Sequence, residues 1–319
     1  MNMIANSLKN YLKCRQIQIN FHRFSAVLLD GKRISKQVQN EIKAKLDYRQ
    51  KNGLKVPQLT VIQVGNNAAS ETYIKNKLAA AKYVGIDSKV INFNENVSEK
   101  DLISCIKDLN TDANVNGILV QLPLPNHIDK KLICNIINPN KDVDGFHYQN
   151  AGKMFYDIEN SIKACTPLAV VEILKRSNIQ TLGKTAVVCG RSKNVGLPIA
   201  LLLQADSKKT KWGLDATVSI CNRNTSRSQL SDLCKLADII ISATGVPNLI
   251  TADIVKPGAC IIDVGITRIQ NENGTFKLVG DVNFEGVSKV AGHITPVPGG
   301  VGPMTVAMLM QNVLNTVES

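Results

Sequence analysis

The sequence has few of the residues that build metal centres. Its 319 residues include only four histidines, at 22, 127, 147 and 293, and no two are spaced H-x-x-x-H. A histidine-based metal centre is therefore not expected. The eight cysteines, at 14, 105, 134, 165, 189, 221, 234 and 260, are scattered and form no C-x-x-C. Cys189, Cys221 and Cys260 fall inside apolar runs, which reads as reduced, buried thiols rather than a disulfide frame or zinc site. No apolar run approaches the ~20 residues of a bilayer span, so no membrane partner is expected. No acidic residue precedes Asp30. There is also no internal repeat and no low-complexity segment.

What is present is an ordinary globular balance, 44% hydrophobic and 20% charged, over a length that suits two domains. The formal charge is +12, of which Lys9, Lys13, Arg15 and Arg23 supply four within residues 1–29, leaving +8. An acid-free basic opening with Leu8, Tyr11 and Leu12 on one face of a candidate helix reads as a mitochondrial transit peptide over residues 1–25. A merely basic tail is the alternative. The remaining +8 suits an anionic small-molecule ligand. No basic stripe interleaved with aromatics points to nucleic acid.

The stretch that organises the chain is KTAVVCGRSKNVGLPIALLL, residues 184–203. An apolar run ends at Gly190, a polar turn follows, and Gly196 and Pro198 open a second apolar run. That reads as strand, glycine-rich turn and helix, a place where free N–H groups and the helix dipole suit a phosphate. The spacing departs from G-x-G-x-x-G, because Ser192 stands where the second glycine belongs. An ordinary strand-to-helix turn also uses glycine, so both readings stand.

Strand and helix alternate on both sides of this stretch. Ile34, Val38, Ile42 and Leu46 predict an amphipathic helix stopped at Gly53. Strands follow at 59–65, 88–93 and 116–121, with helices at 70–83, 99–109 and 129–137. Ser98 and Asp101 give a capping-box-like start to the third helix. Residues 138–166 read as loop-rich and hold the domain boundary. A second series runs helix 167–176, strand 184–189, helix 195–204, strand 216–221, helix 227–235, and strands 237–243 and 259–264. Asn273-Gly274 predicts a hairpin tip, and helices 283–289 and 302–316 close the chain. The pattern predicts two α/β domains with parallel sheets.

Five stretches carry candidate chemistry. Ser70, Tyr73 and Lys77 share one helix face, which suits either a solvated surface or acid–base work by a lysine whose pKa burial lowers. Gln121 closes a strand before Leu-Pro-Leu-Pro, either orienting a ligand or bonding its own turn. Asp142 and Asp144 flank Val143 before Gly145, as turn residues or as a carboxylate gripping an N–H-rich heterocycle. Residues 295–305, TPVPGGVGPMT, make a rigid loop, either a plain one or one that lets backbone approach a ligand, and its lead into a helix start favours the second. Arg223 follows the strand at 216–221, where NAD enzymes usually place an acidic residue, and on bare physics it reads as an NADP 2′-phosphate contact.

Together, Ser70-x-x-Tyr73-x-x-x-Lys77, VQLPLP from Val120, KDVDGFH from Lys141, GRSKNVGLP from Gly190 and TPVPGGVGPMT resemble the methylenetetrahydrofolate dehydrogenase/cyclohydrolase family. The resemblance runs from about residue 26 to the C-terminus. ATVSICNRNT, KLVGDVNFEGV and ITPVPGGVGPMTVAMLMQN are closer to its mitochondrial, NAD-dependent bifunctional branch. The resemblance implies a folate-binding catalytic domain over 26–160, completed by helix 302–319, and a Rossmann-type NAD-binding domain over 161–301. The active site would lie in the cleft between them. It implies that Tyr73 stacks on the folate, Gln121 positions Lys77 for the hydrolytic step, Asp144 anchors the pterin and Ser70 supports the arrangement. Val120, Leu122, Pro296, Pro298, Gly299, Gly300 and Gly302 would line the substrate site. Gly190, Arg191, Ser192, Arg223 and Ile266 would line the dinucleotide.

In that branch Arg191 and Arg223 would hold an inorganic phosphate and Asp215 a magnesium ion, which replaces the NADP reading with NAD. The resemblance further implies a homodimer joined through the nucleotide domain, a polyglutamylated folate substrate and the mitochondrial matrix. Asn222 stands where the family usually has His, and Ala164 and Ala169 where relatives often have Pro and Gly. These departures bear on the adenosine edge and the interdomain loop. The rival readings are an NADP-dependent form, a dehydrogenase without cyclohydrolase activity, and a basic nucleic-acid-binding protein.

Overall fold

The computed structural model describes residues 25–159, 161–270 and 274–318. The proposed transit segment lies outside them, apart from Ser25, as does Asn273 of the expected hairpin tip. Asp30 caps the first helix, α1 (Gly31–Lys51), by accepting the Arg33 N–H at 3.0 Å. Ile34, Val38, Ile42 and Leu46 form its buried stripe, as their four-residue spacing predicts. β2 (Gln58–Val64) is central in a three-stranded sheet of order β3-β2-β4, with β3 (Asp87–Phe93) and β4 (Gly117–Val120) parallel to it. α2 (Ala68–Val84) and α3 (Glu99–Thr111) are its crossovers, and Ser98 caps α3 as expected.

α4 (Lys130–Ile136) follows, and then a helix the sequence pattern did not give, α5 (Tyr148–Phe155). Its cap is His147, whose Nδ1 accepts the Gln149 N–H at 3.0 Å. Histidine is not a usual capping residue, and Gly152 together with exposed Tyr148 and Phe155 blurs the apolar stripe. α6 (Cys165–Arg176) places Pro167 in its first turn, where a missing N–H costs nothing.

The second sheet has six parallel strands in the order β1-β11-β8-β7-β5-β6. They are β5 (Thr185–Cys189), β6 (Thr217–Cys221), β7 (Ile239–Ser242), β8 (Cys260–Asp263), β11 (His293–Ile294) and β1 (Val27–Leu28). The first strand of the described chain therefore joins the sheet built mainly from its second half. Two residues are too few for a period-2 pattern, so β1 left no signal. α7 (Gly196–Gln204) and α8 (Arg227–Leu236) cross over between strands, and β9 (Thr267–Gln270) pairs antiparallel with β10 (Phe276–Val279). α9 (Phe284–Val287) is a single turn. The chain leaves β5 for β6 on one side, then returns past it to β7 and β8. That reversal is where open α/β sheets bind ligands.

α10 (Val301–Asn315) packs on α1, α2 and α6, so one apolar cluster runs from Leu59 and Val61 through Met304, Met308 and Leu309 to Ala186 and Val188. Among the described residues, no helix is long and apolar enough to cross a membrane. Their seven cysteines are free, and all but Cys105 are buried.

One polar group crosses this core. The buried Asn312 Nδ2 donates to Val143 O and to Lys163 O, each at 2.9 Å, and so ties α10 to the segments flanking the expected cleft. Asn312→Ala leaves Lys163 O without this donor and Val143 O with only the weak Cys165 thiol at 3.3 Å, and is expected to remove about 2 kcal/mol of stability. The check is a lower urea midpoint with an unchanged denaturant slope.

Candidate active site

Ser70, Tyr73 and Lys77 all lie on α2, and Ser70 and Lys77 continue the buried stripe by which Ile74, Ala81 and Val84 fix that helix in the core. Lys77 is 9% exposed, so its amine needs a polar partner. Its Nζ donates to Gln121 Oε1 at 3.0 Å. Gln121 Nε2 donates to Leu122 O at 2.8 Å, which leaves Oε1 as the end of the amide turned to the lysine. Gln121 follows β4 directly, and Val120 is its last residue. The Leu122–Pro123 peptide after it is cis.

Asp144 completes this group. Burial pushes its carboxyl above the usual carboxylate range; the neighbouring Lys77 charge opposes that shift and the Asp142 charge adds to it. The Cys165 thiol lies 3.9 Å from Asp144 Oδ1. The two aspartates divide the readings left open by sequence. Asp142 is the turn residue: its buried Oδ2 accepts the His147 N–H at 2.8 Å and Asn150 Nδ2 at 3.0 Å. Asp144 is the one that senses Lys77. Tyr73 is 40% exposed and its phenol is pushed up by burial, so part of the ring is free to face a ligand. Ser70 is buried, with its N–H donated to Asn67 Oδ1 at 3.2 Å.

The proline–glycine loop sits on the start of α1. Lys32 N–H donates to Gly299 O at 3.1 Å, and a Cβ on Gly31 would fall 1.7 Å from Gly300 O. Gly299 has φ +113°, and the Val297–Pro298 peptide, after Pro296, is cis. Gly302 is different: a Cβ there would meet nothing within 4 Å, so packing does not require its glycine.

At the second sheet, Gly190 turns the chain with φ +114°, and a Cβ there would lie 2.4 Å from Ala243 O. A Cβ on Gly196 would lie 2.2 Å from Gly190 O. These contacts press the turn against β7 and α7, leaving a shallow cradle that fits a dinucleotide. Ser192 has its own use: its Oγ accepts the Gly196 N–H at 3.3 Å and its carbonyl accepts the Leu197 N–H at 3.1 Å. Cys189 and Cys221 are register partners, so Arg191 and Arg223, each two residues further on, leave neighbouring strand ends. Both are exposed. Ile266, 44% exposed, follows β8 at the same edge.

Asp215 is not with them. It precedes β6, at the opposite end from Arg223, and the five-residue strand alone interposes about 13 Å. Its Oδ1 accepts the Ser207 N–H at 3.1 Å, and the Ser207 side chain and amide hold its carboxyl below the usual range. Among the described residues, no three His, Cys, Asp or Glu side chains gather to hold a metal ion. The arginine ends fit an anion; Asp215 does not join them within one chain.

Two acids escaped the sequence reading. Asp263 and Asp281 are buried together beside the ends of β7 and β8. Asp-Val-Gly (263–265) and Gly-Asp-Val (280–282) read as turns, yet each puts a charge within two residues of glycine at the edge of an apolar run. That shared pattern was the available signal.

Gly190→Ala must strain a left-handed residue and displace Ala243. Nucleotide affinity is expected to fall on the order of tenfold or more, while circular dichroism stays native. Calorimetric titration of the variant checks this.

Residues 29–144 match the family described as "Tetrahydrofolate dehydrogenase/cyclohydrolase, catalytic domain" and residues 164–319 its "NAD(P)-binding domain". A Gallus gallus relative, "Bifunctional methylenetetrahydrofolate dehydrogenase/cyclohydrolase, mitochondrial", is 50% identical over 303 residues, 95% of this chain and 90% of that one. A Drosophila melanogaster relative of the same name is 52% identical over 290 residues, 91% of this chain and 94% of that one. The solved structure of a 5,10-methylenetetrahydrofolate dehydrogenase from the silkworm, Bombyx mori, matches with a TM-score of 0.87 and 51% identity, over 92% of this chain and 98% of that one. With both halves of the chain matched and about half of the aligned residues identical, the chain belongs to the tetrahydrofolate dehydrogenase/cyclohydrolase family.

Proposed function

We propose that this chain oxidises 5,10-methylenetetrahydrofolate to the 5,10-methenyl form with NAD, then hydrolyses that product to 10-formyltetrahydrofolate. The observation that carries the reading is the 3.0 Å bond from the buried Lys77 amine to Gln121 Oε1, with Asp144 as their neighbour. Tyr73 offers a ring face to the flat pterin. Asp144 offers two oxygens to its N–H groups. NAD, when bound in the Gly190–Ser192 cradle, supplies the hydride acceptor. Loss of hydride from the one-carbon bridge leaves a cation that the flanking nitrogen lone pair stabilises, so the first step requires no strong base. In the second, water adds to the methenyl carbon and one carbon–nitrogen bond breaks. Lys77, held by Gln121, is the group placed to take the water proton and pass it to the departing nitrogen.

The choice of NAD rests on Arg191 and Arg223. In our reading their guanidinium forks hold a free inorganic phosphate where NADP would put its 2′-phosphate. Magnesium on that phosphate would need a hard oxygen ligand, and Asp215 of the same chain is too distant. β6 is an outer strand of its sheet. Antiparallel pairing of two copies about Ser219 would set Val218 against Ile220 and Asp215 against Arg223. The homodimer we propose uses this edge, so that Asp215 of the second copy serves the arginine end. The acid-free basic stretch before Asp30, with the mitochondrial names of the relatives, supports import into the mitochondrial matrix. The charge of +8 beyond that stretch supports a polyglutamylated substrate.

Two measurements test this reading. Dehydrogenase rates are compared with NAD and NADP, each with and without phosphate plus magnesium. NAD is expected to be preferred and to need both ions; NADP preference with phosphate inhibition would mean that the arginines bind the 2′-phosphate directly. Lys77→Met is expected to lower cyclohydrolase turnover roughly 100-fold or more in a folded protein. Cyclohydrolase activity retained in that variant would sink the lysine assignment.

A further inference from the structure

Asp281 is fully buried, with 0% exposure. Its Oδ2 accepts Ser242 Oγ at 2.8 Å, the Thr244 N–H at 2.7 Å and Thr244 Oγ1 at 2.9 Å. Its Oδ1 is also buried and has no hydrogen-bond partner among the described residues. Gly265 lies against that oxygen, since a Cβ there would fall 2.1 Å from it. Asp263 braces the same corner: its Oδ1 accepts the N–H groups of Gly265 and Asp281, each at 3.0 Å, and its Oδ2 that of Val282 at 2.9 Å. The Asp263 N–H donates to Thr295 Oγ1 at 2.8 Å, next to the proline–glycine loop. Two acids thus set the strand-end segments 242–244, 263–265 and 280–282 and reach the residue before Pro296.

This corner lies across β5 from β6 and Arg223, because the strand order is β8-β7-β5-β6. A dinucleotide lies across the reversal point of such a sheet. With its adenosine half at the arginine end, its nicotinamide half falls over the ends of β7 and β8. The oxidised nicotinamide ring carries a positive charge and the reduced ring carries none. A buried carboxylate oxygen without a donor projects negative potential that little water screens.

We infer that Asp281 is a specificity-determining residue for cofactor redox state: its buried charge favours the oxidised over the reduced dinucleotide, and its hydrogen bonds hold the floor on which the nicotinamide rests. The inference rests on the dinucleotide-binding reading above. It explains why a charge is kept where a neutral amide would satisfy the same donors. It also gives the site a way to release the reduced product. Burial pushes the neighbouring Asp263 carboxyl up to about 6, and the Asp281 charge adds to that shift. Above that pH Asp263 adds a second negative charge at the same corner.

The experiment titrates NAD and NADH separately into the full chain by calorimetry at pH 8, for wild type, Asp281→Asn and Thr244→Val. Asp281→Asn keeps an acceptor for Ser242 and Thr244 but loses the charge. It is expected to weaken NAD roughly tenfold and to leave NADH within about twofold. Equal weakening of both, or no change in either, overturns the inference. Thr244→Val keeps the charge and loses two hydrogen bonds, the hydroxyl's own to Asp281 Oδ2 and the one it accepts from the Val246 N–H, so the NAD-to-NADH affinity ratio is expected to stay at the wild-type value. Collapse of the ratio in that variant also overturns the inference, even if Asp281→Asn does not fold. Cyclohydrolase turnover needs no dinucleotide and reports an intact folate site. A wild type that binds neither NAD nor NADH would instead sink the dinucleotide-binding reading.

Discussion

A lysine amine taken out of water must be met by fixed partners, and much of the candidate site follows from meeting it. Lys77 finds one oxygen, Gln121 Oε1, at 3.0 Å. That oxygen is available because the other end of the amide is occupied by Leu122 O. The Gln121 backbone is fixed in turn, since its N–H donates to Ile62 O at 2.8 Å and prolongs the pairing of β4 with β2. The position of the amine is therefore set by a sheet on one side and a core-packed helix on the other. A group held this way needs little reorganisation when a substrate arrives, which is the condition for useful electrostatics in a site.

The same constraint explains the role of α10. The candidate folate residues stand on α2 and just beyond β4 of the small sheet, and the glycine cradle at a strand end of the large one. They serve one cleft only if the two sheets keep a fixed relation. α10 provides it by packing on α1, α2 and α6 within one continuous apolar cluster. Asn312 adds direction to that packing, because two carbonyls 20 residues apart in sequence converge on its amide. The helix leaves the proline–glycine loop directly, so a shift of α10 would move the loop as well.

Much of the fold was legible because local chemistry and tertiary packing agree. The α1 stripe, the Ser98 cap and the parallel strands are each written in a run of neighbouring residues. The four chemical groups Tyr73, Lys77, Gln121 and Asp144 were individually ambiguous, since a lysine on a helix face usually points to water. The structure adds the proximity of Lys77 to residues 44 and 67 positions away, which no local pattern carries. Two failures have the same cause. α5 depends on a histidine cap, which capping preferences do not favour, and on the ring of that histidine meeting Asn135 O at 3.1 Å, twelve residues back. β1 exists because His293 and Ile294 offer it an edge. Asp215 shows the reverse case, in which closeness in sequence is not closeness within one chain. It lies eight residues from Arg223, but an intervening strand puts those eight residues end to end rather than side by side.

The strand-end rim of the large sheet carries opposite charge at its two ends. Arg191 and Arg223 stand exposed beyond β5 and β6, whereas Asp263 and Asp281 are buried beside β7 and β8. An oxidised dinucleotide has matching polarity, with anionic phosphates toward the adenosine and a cationic ring at the far end. Exposure sorts the two kinds of charge sensibly. If these arginines exchange a phosphate or a 2′-phosphate, as proposed, they must be reachable by solvent ions, and their attraction is weakened by screening. A carboxylate that is to sense the charge of a ring without bonding to it must be kept dry, where its field persists and no water occupies the space. Glycine at 265 and 280 is what lets the carboxylates lie that close to the backbone, since any Cβ there would meet a carboxylate oxygen at about 2 Å. The glycines beside these acids are thus part of the electrostatics as well as of the turn.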